Sequence, residues 1–424
     1  MTFLGRTMST PPRLHVSAVS RPRRSELPAQ ALRTQLAEVI EADALALLDP
    51  ARIEALAEDM RVTERSRVHH PGLVVGSLIL SAFQQPSDTG GRWLDAQAVH
   101  RQIGGVRSSK TGYRNYVRKM VPVLRTLLKR RMKQLVEQTE GSELKGRLRQ
   151  FSDVLVPDGC AFKLAACLLG VWPGTGTPAE LKLHAVYSFR TDMADVSISA
   201  GRVHDNKGFA PKTWEKGALY IWDLGFDDID RFVDAVLSEA IPLQRLKSNA
   251  NPRVVAFYDE NGERCEAVDG DGREMRLNDA TLVFPAKTGA FEMDALLTDS
   301  KGRTVTARIV CVPHQGEDHY FMTMLPREAF TSFDVAELYR LRWEVELFFR
   351  SWHGALRMDA VHRLRHRQSI LAHVYASLLG MTLVRGIHTG LERLQAQHDR
   401  ETVGAAGRRT ARTAKPAHEL AISP

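Results

Sequence analysis

The spacing of apolar residues changes near Phe151, and this change constrains the fold more than any other feature of the sequence. Before it, apolar residues recur at the interval of amphipathic helices, as in 31–60 and 109–138, the latter with a break at Pro122. After it, short runs of β-forming residues alternate with turn residues such as Asn261-Gly262. The pattern predicts an α/β protein with an all-helical N-terminal part.

The part after residue 151 is predicted to contain strands and to return to helices near its end. The predicted strands are the runs 154–156, 181–189, 195–204, 219–222, 254–258, 281–284, 303–312 and 319–325. A helical pattern covers 227–240, and the close spacing of the later runs indicates an all-β segment. Two further helices are predicted, one from Asp334 to about residue 356 and one from Ser369 to about residue 394. Asp334 is the predicted N-cap of the first, with Glu337 completing a capping box.

Length and composition exclude several classes of protein. The chain has 424 residues, of which 43% are hydrophobic and 25% charged, so a disordered, collagen-like or coiled-coil protein is excluded and two or three domains are expected. The four cysteines show no CxxC or paired Cys/His spacing, which argues against a disulfide scaffold or a structural zinc site. The apolar stretch 72–83 is too short for a membrane span, and 370–384 is interrupted by His373. We therefore expect a soluble, cytoplasmic protein without a membrane partner.

Positive charge is concentrated in one segment. Residues 96–136 hold eleven Lys and Arg and no Asp or Glu, although the formal net charge of the whole chain is only +8. Such a segment favours a polyanion partner, because phosphates neutralised by Lys or Arg release their counterions. A solvated helix face that serves only solubility is the alternative, although such faces usually mix both signs. The DNA contacts predicted here are Lys110, Arg114, Arg118 and Lys119.

These patterns divide the chain into consecutive regions. Residues 1–29 are predicted to be a flexible basic arm and 30–150 a helical DNA-binding domain. The Arg-rich, acid-poor start also resembles an organelle transit peptide, but it lacks the amphipathic pattern of one. An α/β core is expected in two pieces, 151–250 and 331–395, with a β-rich insertion at 251–330 between them. Residues 396–424 are predicted to be a disordered basic tail.

Three carboxylates are placed where they could share one site. Asp158 and Asp223 each follow a short apolar strand, where a side chain can reach a site at a sheet edge. On the helix after residue 334, the helical interval puts four side chains on nearly one face: Tyr339, Arg342, Glu346 and His353. Carboxylate oxygens can hold two Mg²⁺ ions about 3.5–4 Å apart, an arrangement that serves phosphodiester cleavage.

The neighbours of Glu346 suit contacts with DNA phosphates. Arg342 can donate a pair of hydrogen bonds to a phosphate, and Tyr339 can donate one through its hydroxyl. Each residue alone also has a plainer interpretation: the aspartates as turn residues, Glu346 as a solvated helix residue, and Arg342 as its partner at i, i+4. The order and context of all of them together favour the catalytic interpretation.

At these positions the chain resembles the DDE-type insertion-sequence transposases, whose motif is Tyr-x2-Arg-x3-Glu-x6-Lys. Tyr339, Arg342 and Glu346 match this motif, and the segments Asp158-Gly159-Cys160 and Asp223-Leu224-Gly225-Phe226 match the contexts of the family's two aspartates. The resemblance covers about residues 150–390. It implies an RNase H-like catalytic core interrupted by an all-β insertion. It also implies that Asp158, Asp223 and Glu346 are catalytic and hold two Mg²⁺ ions, for which Mn²⁺ is expected to substitute.

The same resemblance implies a function. The protein would bind the terminal inverted repeats of its own element and catalyse metal-dependent strand cleavage and strand transfer, which is cut-and-paste transposition. Its expected partner is double-stranded DNA, both the element ends and the target, and the expected active species is a homodimer. A basic segment after the second aspartate's helix is common in the family, so Arg245 and Lys247 join the expected DNA contacts.

The sequence departs from the family pattern in two respects. His353 stands where the family has Lys and is mostly neutral at pH 7, so Arg350 or Arg357 is expected to supply the charge. Relatives that flip a base stack it on a Trp of the insertion, but this chain has none between Trp222 and Trp343. The other aromatic residues that could stack a base are Tyr258, Phe284, Phe291, Trp343 and Trp352.

Two other functions stay open on the sequence alone. One is a catalytically inactive or repurposed relative that still binds specific DNA sites, which His353 favours. The other is an RNase H-like nuclease that cuts DNA but does not join strands. Cleavage of inverted-repeat ends distinguishes the first from a transposase, and strand joining distinguishes the second.

Overall fold

The computed structural model describes most of the chain after residue 46. The described residues are 37–38, 47–62, 69–84, 92–138, 144, 146–209, 213–226, 228–247, 249–258, 264–267, 274–279, 290–314, 316–353 and 358–413. Contacts group the chain into two compact units, Ala44–Gly386 and Met1–Asp43 with Ile387–Pro424. In the second unit the described residues, 37–38 and 387–413, are helical. The basic arm predicted at 1–29 lies outside the described residues.

The first unit begins with helices, as the sequence predicts. They are α1 (Pro50–Asp59), α2 (Pro71–Phe83), α3 (Arg92–Gln102), α4 (Lys110–Lys119) and α5 (Val121–Gln138). Asp49 caps α1, its carboxylate accepting the Ala51 amide at 3.0 Å. The break between α4 and α5 falls at Met120 and not at Pro122. Pro122 lies in the first turn of α5, where a proline interrupts no hydrogen bond of the helix.

Eleven strands in the described part of the chain form one mixed sheet. They are β1 (Val154–Lys163), β2 (Glu180–Ser188), β3 (Met193–Ala200), β4 (Leu219–Trp222), β5 (Ile241–Arg245), β6 (Arg253–Tyr258), β7 (Arg264–Glu266), β8 (Met275–Arg276), β9 (Phe291–Thr298), β10 (Thr304–His314) and β11 (Glu317–Thr323). The strand order is β3-β2-β1-β4-β5-β11-β10-β9-β6-β7, with β8 paired to β6. β1, β4 and β5 are parallel neighbours, whereas β2 is antiparallel to β1.

The α-helices that follow the first strands are α6 (Asp205–Gly208), α7 (Ile229–Leu237), α8 (Ser332–Arg340), α9 (Arg342–His353) and α10 (Arg367–Thr413). Two buried cores show that helices of the first unit pack on both faces of the sheet. Val345 of α9 lies in a core with Val154 and Phe321. Phe232 of α7 lies in a second core with Trp222. We call the two faces of the sheet the α8–α10 face and the α7 face.

The mixed α/β class with a helical N-terminal region is confirmed, but several strands differ from the prediction. β1 continues past Asp158 to Lys163, because β2 pairs with it as far as Lys163 opposite Glu180. Four strands, β5, β7, β8 and β9, have no counterpart among the predicted strands, and 281–284 lies outside the described residues. In β5 the sequence signal is hidden by Pro242, which has no amide hydrogen and is unusual in a central strand. The predicted all-β segment continues the core sheet, because β11 pairs with β5.

The helix predicted from Asp334 is two helices. Between α8 and α9 the Leu341 amide donates to the Leu338 carbonyl three residues back, a tight turn that ends the regular α-helical bonding. The N-cap of α8 is Thr331 and not Asp334. The Thr331 hydroxyl accepts the Asp334 amide, and the Asp334 carboxylate accepts the Thr331 amide, so Asp334 is the third helical residue of the capping box.

The last helix is longer than the sequence predicts. α10 runs to Thr413, so the tail predicted as disordered from residue 396 is helical over its described part. Residues 396–413 hold four Ala and four Arg, and both are good helix formers. Among the described residues, the segment Arg367–Leu391 is long and apolar enough to cross a membrane, but 67% of it is buried inside the protein. This burial is typical of a core helix.

Candidate active site

The two aspartates lie at the same level of neighbouring parallel strands. β1 and β4 pair in parallel register, with Leu155 opposite Tyr220. Continuing this register brings Asp158 level with Asp223, the first residue after β4. Because side chains alternate along a strand, both aspartates belong to the face on which Val154 is buried, the α8–α10 face.

The helices α8 and α9 bring the third carboxylate to the same place. Arg342 Nη2 donates to Glu346 Oε1 at 2.7 Å, and Arg342 Nε lies 3.9 Å from Asp223 Oδ1. The Tyr339 hydroxyl donates to Asp223 Oδ1 at 3.4 Å. The structure therefore brings Tyr339, Arg342 and Glu346 together at Asp223, although the partners of Tyr339 and Arg342 are carboxylates.

The carboxyl of Asp158 has a raised pKa. Burial is the main cause, the nearby carboxylates of Asp223 and Asp205 add to it, and together they bring the pKa from 3.8 to about 6. The Gly159 amide, which donates to Asp158 Oδ1 at 2.7 Å, and the charge of Arg342 act in the opposite direction. Their combined effect does not cancel the rise.

The pKa values of Arg342 and Tyr339 also depend on burial and on the charge of Asp223. Burial disfavours the charged form of Arg342, but Asp223 and Glu346 outweigh it and raise the pKa of the guanidinium. Burial raises the pKa of Tyr339, and the charge of Asp223 adds to this rise. Tyr339 therefore keeps its proton and remains a hydrogen-bond donor to Asp223.

A further carboxylate, Asp205, contacts two side chains of β2 and was not predicted from the sequence. Lys182 Nζ donates to its Oδ2 at 2.8 Å, and His184 Nδ1 lies 3.4 Å from its Oδ1. Burial would raise the pKa of Asp205, but these two contacts outweigh burial and lower it. A Cβ atom at Gly159 would come within 2.1 Å of Asp205 Oδ1, so any larger residue there would require the Asp205 side chain to move. Gly159 next to Asp158 was thus the one sequence signal that could have indicated this close approach.

The remaining predicted contacts of the catalytic region lie around the three acids. Arg245 is the last residue of β5, and Lys247 follows two residues later. Arg350 is exposed on α9, with its guanidinium carbon 5.3 Å from the ring centroid of Trp343, whose side chain is 49% exposed. His353 is the last residue of α9, and its side chain and Arg357 lie outside the described part.

The basic segment of the N-terminal helices is only partly a surface. Lys110, Arg114 and Lys119 are exposed on α4. Arg118 instead donates from Nε to Ser369 Oγ at 3.0 Å, at the start of α10. Arg131 in α5 is only 2% exposed. Part of the positive charge therefore serves packing inside the protein.

Two of the aromatic residues predicted to stack a base already contact other side chains of the protein. The guanidinium carbon of Arg327 lies 3.7 Å from the ring centroid of Tyr258, whose hydroxyl donates to Asp294 Oδ2 at 2.8 Å. The ring of Phe291 meets that of Tyr320 edge-on, with 6.3 Å between centroids. Phe284 and the side chain of Trp352 lie outside the described residues.

The chemistry of the three acids fits a hard divalent cation. Asp158, Asp223 and Glu346 offer carboxylate oxygens, the ligands that Mg²⁺ prefers. The guanidinium of Arg342, held between the other two acids, shows that these two carboxylates stabilise a positive charge. Within the ranges that the structure describes, however, no three acidic, His or Cys side chains already stand at the spacing of a metal site. A cation bound by Asp223 and Glu346 would compete with Arg342.

Comparisons with known proteins show which family the chain resembles. Residues 172–382 match the family described as Transposase DDE domain. The matched range includes Asp223 and Glu346 and begins after Asp158. The chain is 23% identical to the transposase for insertion sequence element IS231F of Bacillus thuringiensis subsp. israelensis, over 79% of this chain and 77% of that protein. It is 29% identical to the transposase for insertion sequence element IS421 of Escherichia coli, over 30% of this chain and 35% of that protein.

Proposed function

This chain belongs to the DDE-type insertion-sequence transposases, and from this premise we propose that Asp158, Asp223 and Glu346 are the catalytic acids of cut-and-paste transposition. The observation that carries the proposal is the convergence of these acids. The β1–β4 register brings Asp158 level with Asp223, and Arg342 links Asp223 to Glu346. Three acids from distant parts of the sequence thus approach one edge of the sheet.

The strand order supports an RNase H-like core for this proposal. The first five strands follow the order β3-β2-β1-β4-β5, with β1, β4 and β5 parallel and β2 and β3 antiparallel to their neighbours. The strands β6 to β11 lie between Asp223 and Glu346 in sequence, where the resemblance implies an insertion. They extend the core sheet, so the proposed insertion gives the catalytic sheet a longer edge.

Each residue of the site has a proposed task. Asp158, Asp223 and Glu346 would hold two divalent cations, Mg²⁺ or Mn²⁺, which would activate the attacking oxygen and stabilise the leaving one. Tyr339 orients Asp223 through its hydrogen bond. Arg342 balances Asp223 and Glu346 in the free protein and supplies positive charge for the scissile phosphate when the substrate is bound.

The helical N-terminal region and a second copy of the chain complete the proposal. The exposed Lys110, Arg114 and Lys119 of α4 would bind the phosphates of the terminal inverted repeats. A homodimer would hold the two ends of the element together, because the two ends are alike and a two-fold pair of subunits presents two equivalent sites. Arg245, Lys247, Arg350 and His353 would contact DNA near the acids.

A cleavage assay tests the proposal. The purified chain is incubated with Mg²⁺ and a duplex that joins one element end to flanking DNA, with a supercoiled plasmid as target. We expect a nick at the element end and joining of the freed 3′-hydroxyl to the plasmid. Asp158→Asn, Asp223→Asn and Glu346→Gln should each reduce both products at least about a hundredfold. Glu344→Gln is the matched control, because Glu344 is an exposed residue of the same helix.

The other outcomes identify the alternatives. Binding of the element end without any nick would favour the inactive or repurposed relative. Nicking without joining would favour the nuclease. Normal cleavage by the three acid variants would show that the acids are assigned wrongly.

A further inference from the structure

Five neighbouring strands place charged or imidazole side chains at one edge of the sheet. The strands are β1, β4, β5, β11 and β10, in this spatial order. The residues are Asp158, Asp223, Arg245, His319 and His314, and we call them the edge row. The parallel strands β4 and β5 have their carboxyl ends here, β1 passes through this level at Asp158 and continues to Lys163, and the β10–β11 hairpin has its turn on the same side.

The members of the edge row belong to the same face of the sheet. Arg245 is paired directly opposite Phe321, which is buried on the α8–α10 face. His319 lies two residues before Phe321 in β11 and therefore projects to that face. His314 lies two residues after Val312, which is also buried there. This is the face of Asp158 and Asp223.

The hairpin that carries the two histidines is anchored to the active site. The ring centroid of Phe321 lies 5.0 Å from that of Tyr339, the residue that holds Asp223. The Leu246 amide donates to the Tyr320 carbonyl at 2.9 Å, which ties the hairpin to the chain beside Arg245. The hairpin that carries the histidines is thus packed against the tyrosine that contacts Asp223.

Both basic and acidic groups surround the two histidines. The rings of His314 and His319 lie 5.6 Å apart at right angles. Burial lowers the pKa of His319, and the charges of Arg245 and His314 lower it further. Two acids of the same strand oppose them: Glu317, which pairs with His314 on the same face, and Asp318, which pairs with Pro313 on the other face.

We propose that the phosphate backbone of the DNA end crosses the edge row, from the catalytic acids over Arg245 to His319 and His314, so that the β10–β11 hairpin binds the strand beside the scissile phosphate. This inference rests on the proposed function for the nature of the ligand. Neighbouring strands are about 4.8 Å apart, and His314 lies four residues beyond Val310, the residue of β10 that is level with Arg245, so the row runs diagonally over about 23 Å. That length matches the rise of about seven base pairs. Imidazoles donate hydrogen bonds to phosphate, and a nearby phosphate favours their protonation.

Glu317 makes the proposal testable by a gain of affinity. It is the acid that faces the proposed phosphate track, so its removal should strengthen DNA binding, whereas Asp318 faces away. The experiment measures the affinity of the full chain for element-end DNA by fluorescence anisotropy, without divalent cations so that no cleavage occurs. We expect Glu317→Gln to bind about two- to threefold more tightly and Asp318→Asn, the matched control, to change less.

Replacing both histidines with alanine tests whether they contribute to DNA binding. The double variant His314→Ala, His319→Ala should bind about three- to tenfold more weakly, and the slope of log affinity against log salt should be shallower by about one to two. Wild-type affinity should rise from pH 8 to pH 6 more than that of the double variant, because protonation adds charge to the row. The melting temperature of each variant shows whether it is folded, and a misfolded variant could not produce the tighter binding expected of Glu317→Gln.

Two results would overturn the inference. One is equal affinity of the wild type and the folded double variant at every salt concentration. The other is an unchanged affinity of Glu317→Gln. The inference and the proposed function fail separately, because one is measured by binding without cations and the other by cleavage with Mg²⁺. A chain that never cuts DNA but shows the expected binding changes would contradict the proposed function alone.

Discussion

At the scale of the residue, Arg342 is the group on which the candidate site depends. It contacts two of the three acids and so competes with any cation that they bind. We expect Arg342→Gln to lower the Mg²⁺ concentration needed for half-maximal thermal stabilisation several-fold, because binding to the folded state raises its stability. Cleavage should fall at the same time, since the charge for the phosphate is lost.

The measurement is the melting temperature as a function of Mg²⁺. Arg340→Gln is the control, because Arg340 is an exposed residue two positions earlier. An unchanged or higher Mg²⁺ requirement in Arg342→Gln would show that the guanidinium does not compete for the acids.

Asp158 gives a prediction about pH. Its pKa in the folded protein is about 6, against 3.8 for the ordinary carboxyl. The folded state therefore binds this proton more tightly than the unfolded state does, and stability is lost as pH rises through 6. Each pKa unit corresponds to about 1.4 kcal/mol, so the ionised carboxylate costs the folded protein about 3 kcal/mol above pH 7.

Asp158→Asn removes this cost. Without divalent cations, the variant should melt higher than the wild type at pH 8, and the difference should shrink as the pH falls towards 4. Thermal melts across this range measure it. If the variant melted higher than the wild type by the same amount at every pH, the titration of Asp158 would not be the cause.

The sequence predicted the residues of the site better than their partners. Asp158, Asp223 and Glu346 could be found because each has a recognisable context, and helical spacing put Arg342 beside Glu346. The hydrogen bond from Tyr339 to Asp223 and the contacts of Asp205 with Lys182 and His184 could not be predicted. Both depend on the distance between elements that are far apart in sequence, and no local pattern encodes that distance.

At the scale of the element, the prediction was good for local signals and poor for pairing. β4 was predicted with its observed bounds because it is a wholly buried apolar run. The end of β1 was wrong, since the strand continues only because β2 pairs with it. β5 was missed because its pairing with β4 and β11 outweighs the unfavourable Pro242. Strand length and sheet membership are therefore set by tertiary contacts.

The N-terminus of α8 allows a test of one element. Thr331→Ala removes the hydroxyl that accepts the Asp334 amide, and loss of an N-cap typically costs about 1 kcal/mol. A lower melting temperature, by about 1 °C, is expected for a chain of 424 residues, because the entropy of unfolding grows with chain length. Thr331→Ser keeps the hydroxyl and should melt near the wild type. Equal melting of the alanine and serine variants would mean that the capping box adds no measurable stability.

At the scale of the whole molecule, the exposed positive charge of α4 and the three proposed catalytic acids occupy different parts of the chain. The exposed Lys110, Arg114 and Lys119 lie on α4, whereas the three acids lie at the edge of the sheet. Binding and cleavage should therefore be separable by mutation. The acid variants should keep their affinity for element ends while losing cleavage.

The reverse variant replaces Lys110, Arg114 and Lys119 with Gln. If each contacts one phosphate, the slope of log affinity against log salt should become shallower by about 2.7, since each phosphate contact contributes about 0.9. Affinity should fall steeply at moderate salt, but cleavage at saturating DNA should persist because the acids are untouched. The control carries the same charge change at Arg52, Lys216 and Arg253, each of which already pairs with an acidic residue. A control that loses as much affinity and slope as the α4 variant would show that net charge, and not the position of α4, determines DNA binding.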